Sequence, residues 1–399
     1  MKTKKLLALL LALAMVFALC ACGGPGDDPV GNNTESPTPP SQTVDYSSEP
    51  KDFTIGFLGS MFGTGQDLTV KNYIESVLLP NLPNVTAVYS TAFYNIEDEK
   101  TALEDLITQG ADGIVVVSGM YDIVGLLETC ADAGVYLACA VSAPSQDDME
   151  LILEDDYLLE YFIGMSGVSI SDEYAAGEKI AEAAIELAQG GAIAVMGMQG
   201  FVKTSYQYQR LEGVRAVLGD LYDENLFFNI EWGDATMTLG SDLLAQGPAA
   251  VATTTAGADI LCGLIAAKKA TESTQVAAIG FVDKSYQTFF NSGALDYCEA
   301  VYGEYAAGAF ILMYNWLNNG LRWSSDKGNF AWCEVPCVSI PDADSMSQWL
   351  EYCGTVEKSP FSFDDVKGLL VQYNNEANYE QFVELMQAVD MAAVQARRG

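Results

Sequence analysis

The sequence predicts an α/β protein of two doubly wound parallel-sheet lobes joined by a three-segment hinge. Three observations predict it. From Phe53 onward, short apolar runs alternate with amphipathic stretches. The run Ile114-Val115-Val116-Val117 is continuously apolar and β-branched, as expected of a parallel strand covered on both faces. The pattern then restarts near Ser171, giving two successive sets of strand–helix units of about 110 residues each, more than one sheet of ordinary size holds.

In the first set, residues 54–59, 85–89, 114–118 and 135–141 read as strands. Between them, 97–109 sets Ala102, Leu103, Leu106 and Ile107 on one helical face and stops at Gly110. Residues 121–133 place Val124, Leu127 and Ala131 likewise and stop at Gly134. The second set has helices at 171–189, 206–218, 236–246 and 257–270, and strands at 192–198, 226–232, 249–254 and 276–281. Residues 161–169 read as the first crossing between lobes, and re-entries near Asp283 and Trp332 supply two more. The segment 332–340 reads as a strand returning to the second lobe. Helices follow at 346–352, 363–373 and 379–396, the last with Phe382, Leu385, Met386 and Val389 on one side, expected to pack on that lobe. The expected division is thus 53–165 with 283–332 for lobe 1, and 166–282 with 333–399 for lobe 2.

The chain begins with three lysines among its first five residues, followed by an apolar run over 6–19, the build of a secretory signal and too short for a membrane span of about 20 residues. The run ends in Leu19-Cys20-Ala21-Cys22-Gly23, which resembles a bacterial lipobox with Cys22 as the lipidated residue; an ordinary cleaved signal with incidental cysteines is the alternative. Residues 1–22 are then a lipoprotein signal. Residues 23–52, rich in Gly, Pro, Ser, Thr, Asn and Asp and without apolar period, are a flexible tether. The expected location is extracytoplasmic, on the cell membrane through the lipid anchor only.

Composition excludes several functions. Lys and Arg total 19 against 54 Asp and Glu, so the basic footprint that nucleic acids require is missing. Histidine is absent, which removes Ser-His-Asp and Cys-His catalysis and the His-containing zinc motifs. Neither paired carboxylates nor a nucleophile elbow stands out, and the reading is of a non-enzyme with no metal and no cofactor. Seven cysteines follow the leader without a tight spacing pattern. Cys333 and Cys337 on an extended segment lie too far apart to bridge.

Taken in order, these stretches resemble the sugar-type periplasmic binding proteins, the ribose and galactose group of type I solute receptors. Residues 101–117 look like a helix and strand of that family, and Ala131-Asp132-Ala133-Gly134-Val135 looks like its A-G-I-P turn. Arg210-Leu211-Glu212-Gly213-Val214 looks like its R-x-E-G-F helix, while Gly280-Phe281, Gly293 and Gly308 fall on family glycine positions. The likeness spans about residues 53–320. It implies a receptor that hands a small solute to an ABC transporter permease, or a sensor of the same build feeding a membrane kinase or chemoreceptor.

The resemblance carries the fold further than the ligand. The family's Asp-Arg sugar clamp falls here on Val141-Ser142 and its next Arg on Tyr208. Its Asn-Asp falls on Gly257-Ala258 with Asp259 adjacent, its G-F-D carboxylate on Val282 or Asp283, and its Gln on Tyr302. Ligands of such folds lie beyond the carboxyl ends of the strands. The candidate contacts are therefore Ser60, Met61, Phe62, Ser118, Gly119, Ser142, Tyr208, Gly257, Asp259, Asp283 and Tyr302. Several have structural readings of equal standing: Phe62 as a buried pin of its loop, Ser118 as a helix cap, Asp259 as a first-turn acid. With hydroxyls and rings in place of the charged clamp, the expected ligand is neutral, ring-shaped and polar: a sugar first, a nucleoside second.

Overall fold

A computed structural model describes residues 44, 46 and 49–398, apart from 64, 119–121, 200–204, 231–235, 255–256, 269–273, 281, 283 and 356–357. Two six-stranded sheets carry the fold. The first holds β1 (Phe53–Leu58), β2 (Val85–Tyr89), β3 (Gly113–Val116), β4 (Tyr136–Ser142), β5 (Phe162–Val168) and β11 (Ala331–Glu334) in the order β11-β5-β4-β3-β1-β2, all parallel. The second holds β6 (Ile193–Gly197), β7 (Phe227–Asn229), β8 (Ala250–Thr253), β9 (Gln275–Gly280), β10 (Tyr297–Ala300) and β12 (Val338–Ile340) in the order β12-β10-β9-β8-β6-β7, where only β12 runs antiparallel. Two parallel-sheet lobes are thus present.

Helices cover both faces of each sheet, and their starts are written in the sequence. Asn95 caps α2 (Ile96–Thr108; α1 is Gly65–Tyr73), and Asp122 caps α3 (Ile123–Asp132). Ser145 and Asp148 form a capping box for α4 (Gln146–Glu154), which leads into the short α5 (Asp156–Tyr161). The longest helix among the described residues, α6 (Ile170–Ala188), opens on Ser169 and packs tightly on α7 (Tyr206–Leu218). That approach requires glycine on both sides. A Cβ on Gly177 would sit 2.0 Å from the Arg210 carbonyl oxygen, and one on Gly213 would sit 2.1 Å from that of Tyr174. In the second lobe α8 (Thr236–Ala245), α9 (Gly257–Lys268) and α10 (Lys284–Ser292) follow. Then α11 (Ala306–Asn319), apolar nearly all round, lies buried against β1, β3, β4 and β5.

The lobe boundaries differ from the expected ones. Residues 162–168 are not the crossing but strand β5, buried on both faces; Gly164, Ser166 and Gly167 interrupt its apolar run. The chain crosses after Val168, between Val301 and Tyr305, and again at residues 335–337. Residues 284–300 stay with the second lobe, because β10 pairs with β9. Segment 332–340 splits into β11 in the first sheet and β12 in the second.

The tail also departs from the expectation of packing on lobe 2 alone. Helix α12 (Ala343–Cys353) packs on α10 of that lobe. The chain then returns to lobe 1: Tyr73 donates to the Phe361 carbonyl at 3.1 Å, and the buried Asn315 of α11 grips Leu369 and Val371 at 3.0 Å each. There it forms α13 (Phe363–Lys367) and α14 (Tyr379–Gln387). The last stretch is not one helix. Asp390 accepts from the Ala393 N–H at 2.9 Å and starts α15 (Met391–Arg398) afresh.

All seven cysteines after the leader are unbonded thiols, Cys333 and Cys337 included. Burial pushes Cys130, Cys333 and Cys353 up to about 12. No helix among the described residues is long and apolar enough to cross a membrane.

Candidate functional site

In each lobe strand order reverses beside the first strand, between β1 and β3 and between β6 and β8. The carboxyl ends at such a switch point leave a crevice. At the first one, Asp67 in the opening turn of α1 is a hub, 4 % exposed. Its Oδ2 accepts from the Met61 N–H at 2.7 Å, from Ser118 Oγ at 2.8 Å and from Ser60 Oγ at 3.4 Å. The Ser60 N–H in turn donates to Ser118 Oγ at 2.9 Å. One carboxylate thus ties the loop after β1 to the loop after β3. Burial raises the Asp67 carboxyl, opposed by these donors. Phe62 is 9 % exposed and sets its edge on Tyr89, with 5.0 Å between ring centroids. In this arrangement it pins the loop.

At the second switch point, Arg210 is 2 % and Glu173 0 % exposed. The guanidinium donates to Glu173 through Nε at 2.5 Å and Nη2 at 3.0 Å, and through Nη1 to the Thr254 carbonyl at 3.2 Å. One side chain therefore joins α6, α7 and the end of β8. The Tyr206 ring lies 4.7 Å from the guanidinium. Burial raises the Tyr206 phenol, opposed by the Arg210 guanidinium, and Asp67 of the other lobe adds to the rise. Two buried polar atoms here, Thr254 Oγ1 and Gln207 Oε1, have no hydrogen-bond partner.

The other expected contacts are distributed as follows. Tyr208 is partly buried in the first turn of α7, its N–H donating to Ser205 Oγ at 3.3 Å. Gly257 begins α9, with Asp259 exposed in its first turn. Ser142 ends β4, next to Val141, whose φ of 67° is one of two positive values among non-glycine residues described. Gly119, Asp283 and Cys22 lie outside the described residues. Asp67, Glu173, Gln207 and Thr254 were not among the expected contacts. A cavity of ≈ 720 Å³ opens between the lobes at the β5/β11 edge, bordered by Pro144, Ser169, Tyr174, Gln209 and Trp332.

Tyr302 lies in the second crossing, 1 % exposed, with its ring 5.8 Å from that of Trp349 on α12. Its neighbour Glu304 has a carboxyl that burial pushes up to about 7. A carboxyl raised in the folded state favours folding when neutral. Its contribution is complete below its unfolded value near 4.5 and is lost as pH rises through about 7. Glu304→Gln is expected to flatten the stability profile between pH 5 and about 8, where the parent loses about 1–3 kcal/mol. Thermal melts across that range check it; parallel profiles for the two proteins would refute the assignment.

No protein-family model matches the chain, and no curated protein matches it. Solved structures do. The fold is that of the type I periplasmic sugar-binding proteins of ABC transporters. A 5-methylthioribose transporter solute-binding protein from Thermotoga lettingae TMO, in complex with 5-methylthioribose, superposes with a TM-score of 0.57 at 15% identity, over 84% of this chain and 97% of that one. A galactofuranose-binding protein gives 0.56 at 14%, over 77% and 98%. The arabinose transporter component from Shewanella sp. ANA-3, bound to α- and β-L-arabinofuranose, gives 0.52 at 14%, over 75% and 94%.

Proposed function

We propose that the chain is the extracytoplasmic receptor of an ABC importer, closing its lobes on a small neutral ring-shaped polar ligand, a sugar before a nucleoside. The observation that carries the reading is a switch point in each of the two sheets, together with a cavity lined from both lobes. Among the described residues of the loops at the strand ends, none is Lys or Arg, and Arg210 is committed to Glu173. At these loops an anionic ligand would lack a cation to offset its desolvation, although Lys327 lines the cavity at the β5/β11 edge. The unpaired Thr254 Oγ1 and Gln207 Oε1 suit a ligand rich in hydroxyls.

A thermal-shift panel tests the reading. Furanose sugars head it, since the three structures above are of proteins for galactofuranose, L-arabinofuranose and 5-methylthioribose; hexoses and nucleosides follow. A ligand at 100 times its Kd is expected to stabilise by about 2.7 kcal/mol, with affinity nearly independent of salt. Phe62→Ala should cost about 1–3 kcal/mol of binding where that ring meets the ligand; an equal loss of stability with binding intact would leave Phe62 a pin. A native ligand that is anionic and whose affinity falls steeply with salt overturns the reading.

Attachment through Cys22 belongs to the same proposal, motivated by the Leu19-Cys20-Ala21-Cys22 order. Mass spectrometry of the mature N-terminus is expected to show diacylated Cys22. Cys22→Ala should release the protein into the medium and Cys20→Ala should not. An unmodified terminus elsewhere excludes the anchor.

A further inference from the structure

We infer that the C-terminal tail is a clasp that spans the hinge from outside and restricts how far the lobes part. The inference rests on the lobe movement of the proposed function. Three crossings already join the lobes. After the third, α12 lies on lobe 2, residues 359–387 lie on lobe 1, and α15 returns to α12. The tail therefore crosses twice more, and these passages are held by specific contacts.

On the lobe 1 side, Phe361 is fully buried and its carbonyl accepts from Tyr73. Tyr379 donates to the Trp332 carbonyl at 2.5 Å, and Gln387 Nε2 donates to that of Glu334 at 3.1 Å, so α14 runs along the β11 edge. Gln372 accepts from Asn318 of α11 at 2.7 Å. On the lobe 2 side, Ser347 of α12 donates to Gln287 of α10 at 2.9 Å, and Trp349 meets Tyr302 of the second crossing.

Helix α15 closes the loop between these two attachments. Val394 is fully buried. Arg397 donates to the Pro360 carbonyl at 2.9 Å and to that of Ala388 at 2.5 Å. Arg398 meets Asp365 at 3.0 Å and donates to the Ser359 carbonyl at 2.5 Å. Both arginines thus staple the passage from α12 to lobe 1 while their helix packs on α12 itself. Parting the lobes by a large angle has to draw Phe361 away from α12 or lift α15, whereas the three inner crossings can bend without either.

The test is single-molecule energy transfer between dyes on Glu104→Cys in lobe 1 and Asp220→Cys in lobe 2, both exposed positions. The parent should give one narrow distance distribution without ligand. Two variants follow: a chain ending at Ala388, which lacks α15, and the full chain with Arg397→Ala and Arg398→Ala. The truncated chain is expected to show at least a twofold broader distribution extending to longer distances, and the double variant a smaller broadening in the same direction. Parental width in the truncated chain overturns the clasp, whatever its melting temperature. Should that chain not fold, the double variant decides by the same criterion.

The same molecules are measured with galactose, arabinose, ribose and adenosine. Broadening on truncation with no response to any of them upholds the clasp and counts against the receptor reading. Ligand-induced narrowing with no effect of truncation does the reverse.

Discussion

Arg210→Met, with Glu173 left in place, is expected to destabilise the protein by about 3–5 kcal/mol, because it strands a charge in the interior. Glu173 is fully buried and receives two guanidinium bonds; without them its carboxylate has no cation to face, and burial already raises it. The Thr254 carbonyl loses its donor as well. Arg210→Lys keeps the charge without the fork and should fall between parent and Met. The double variant Arg210→Met with Glu173→Gln should recover part of the loss, since no charge is then left unpaired. Denaturant unfolding of the four proteins measures this. A single variant within 1 kcal/mol of the parent, about the size of a surface effect, would mean that the pair is hydrated in solution.

The second large effect is expected at Asp67. Asp67→Ala removes an acceptor shared by Met61, Ser118 and Ser60, leaving buried donors unmatched at about 1–3 kcal/mol. A loss of binding should accompany this loss of stability. The loops after β1 and β3 would lose their common tie, and affinity for whichever ligand the panel identifies should fall at least tenfold, roughly 1.4 kcal/mol. Isothermal titration beside thermal melts separates the two effects. Asp67→Asn should be only partly conservative, because its amide brings donors to a place already full of them. Unchanged affinity in a folded Asp67→Ala protein would remove the hub from the site.

Legibility in the sequence followed local pattern. Strands β1, β3, β6 and β8 and helices α2, α3 and α7 lie close to where their apolar patterns put them, and those four strands define both switch points. Strand β5 was hidden by its glycines, and α4 by its shortness, with only Met149 and Ile152 buried, although Ser145 and Asp148 spell its capping box. Tertiary facts were less visible still. Asp67 acquires its role only when chain segments 51 residues apart meet at Ser118. Tyr302 was expected in the cleft from a linear correspondence, yet the Trp349 ring that covers it comes from a tail the correspondence did not reach. The tail's helical period runs without interruption to Ala396, and only the cap at Asp390 shows where it breaks.

The position of β11 has a consequence for assembly during synthesis. Nearly all of the second sheet, β6 to β10, is contained in one continuous stretch, whereas the first sheet ends on a strand translated after it. Until Ala331 pairs beside Gly164, β5 is an unprotected edge with open backbone donors and acceptors. Gly164 itself has φ +145°, and a Cβ there would meet the Ala331 carbonyl oxygen at 2.4 Å. A nascent chain therefore carries two sheets that each still lack an edge strand, β10 waiting on β12 as β5 waits on β11, and the N-terminal lobe, though translated first, cannot close before most of the later one is made.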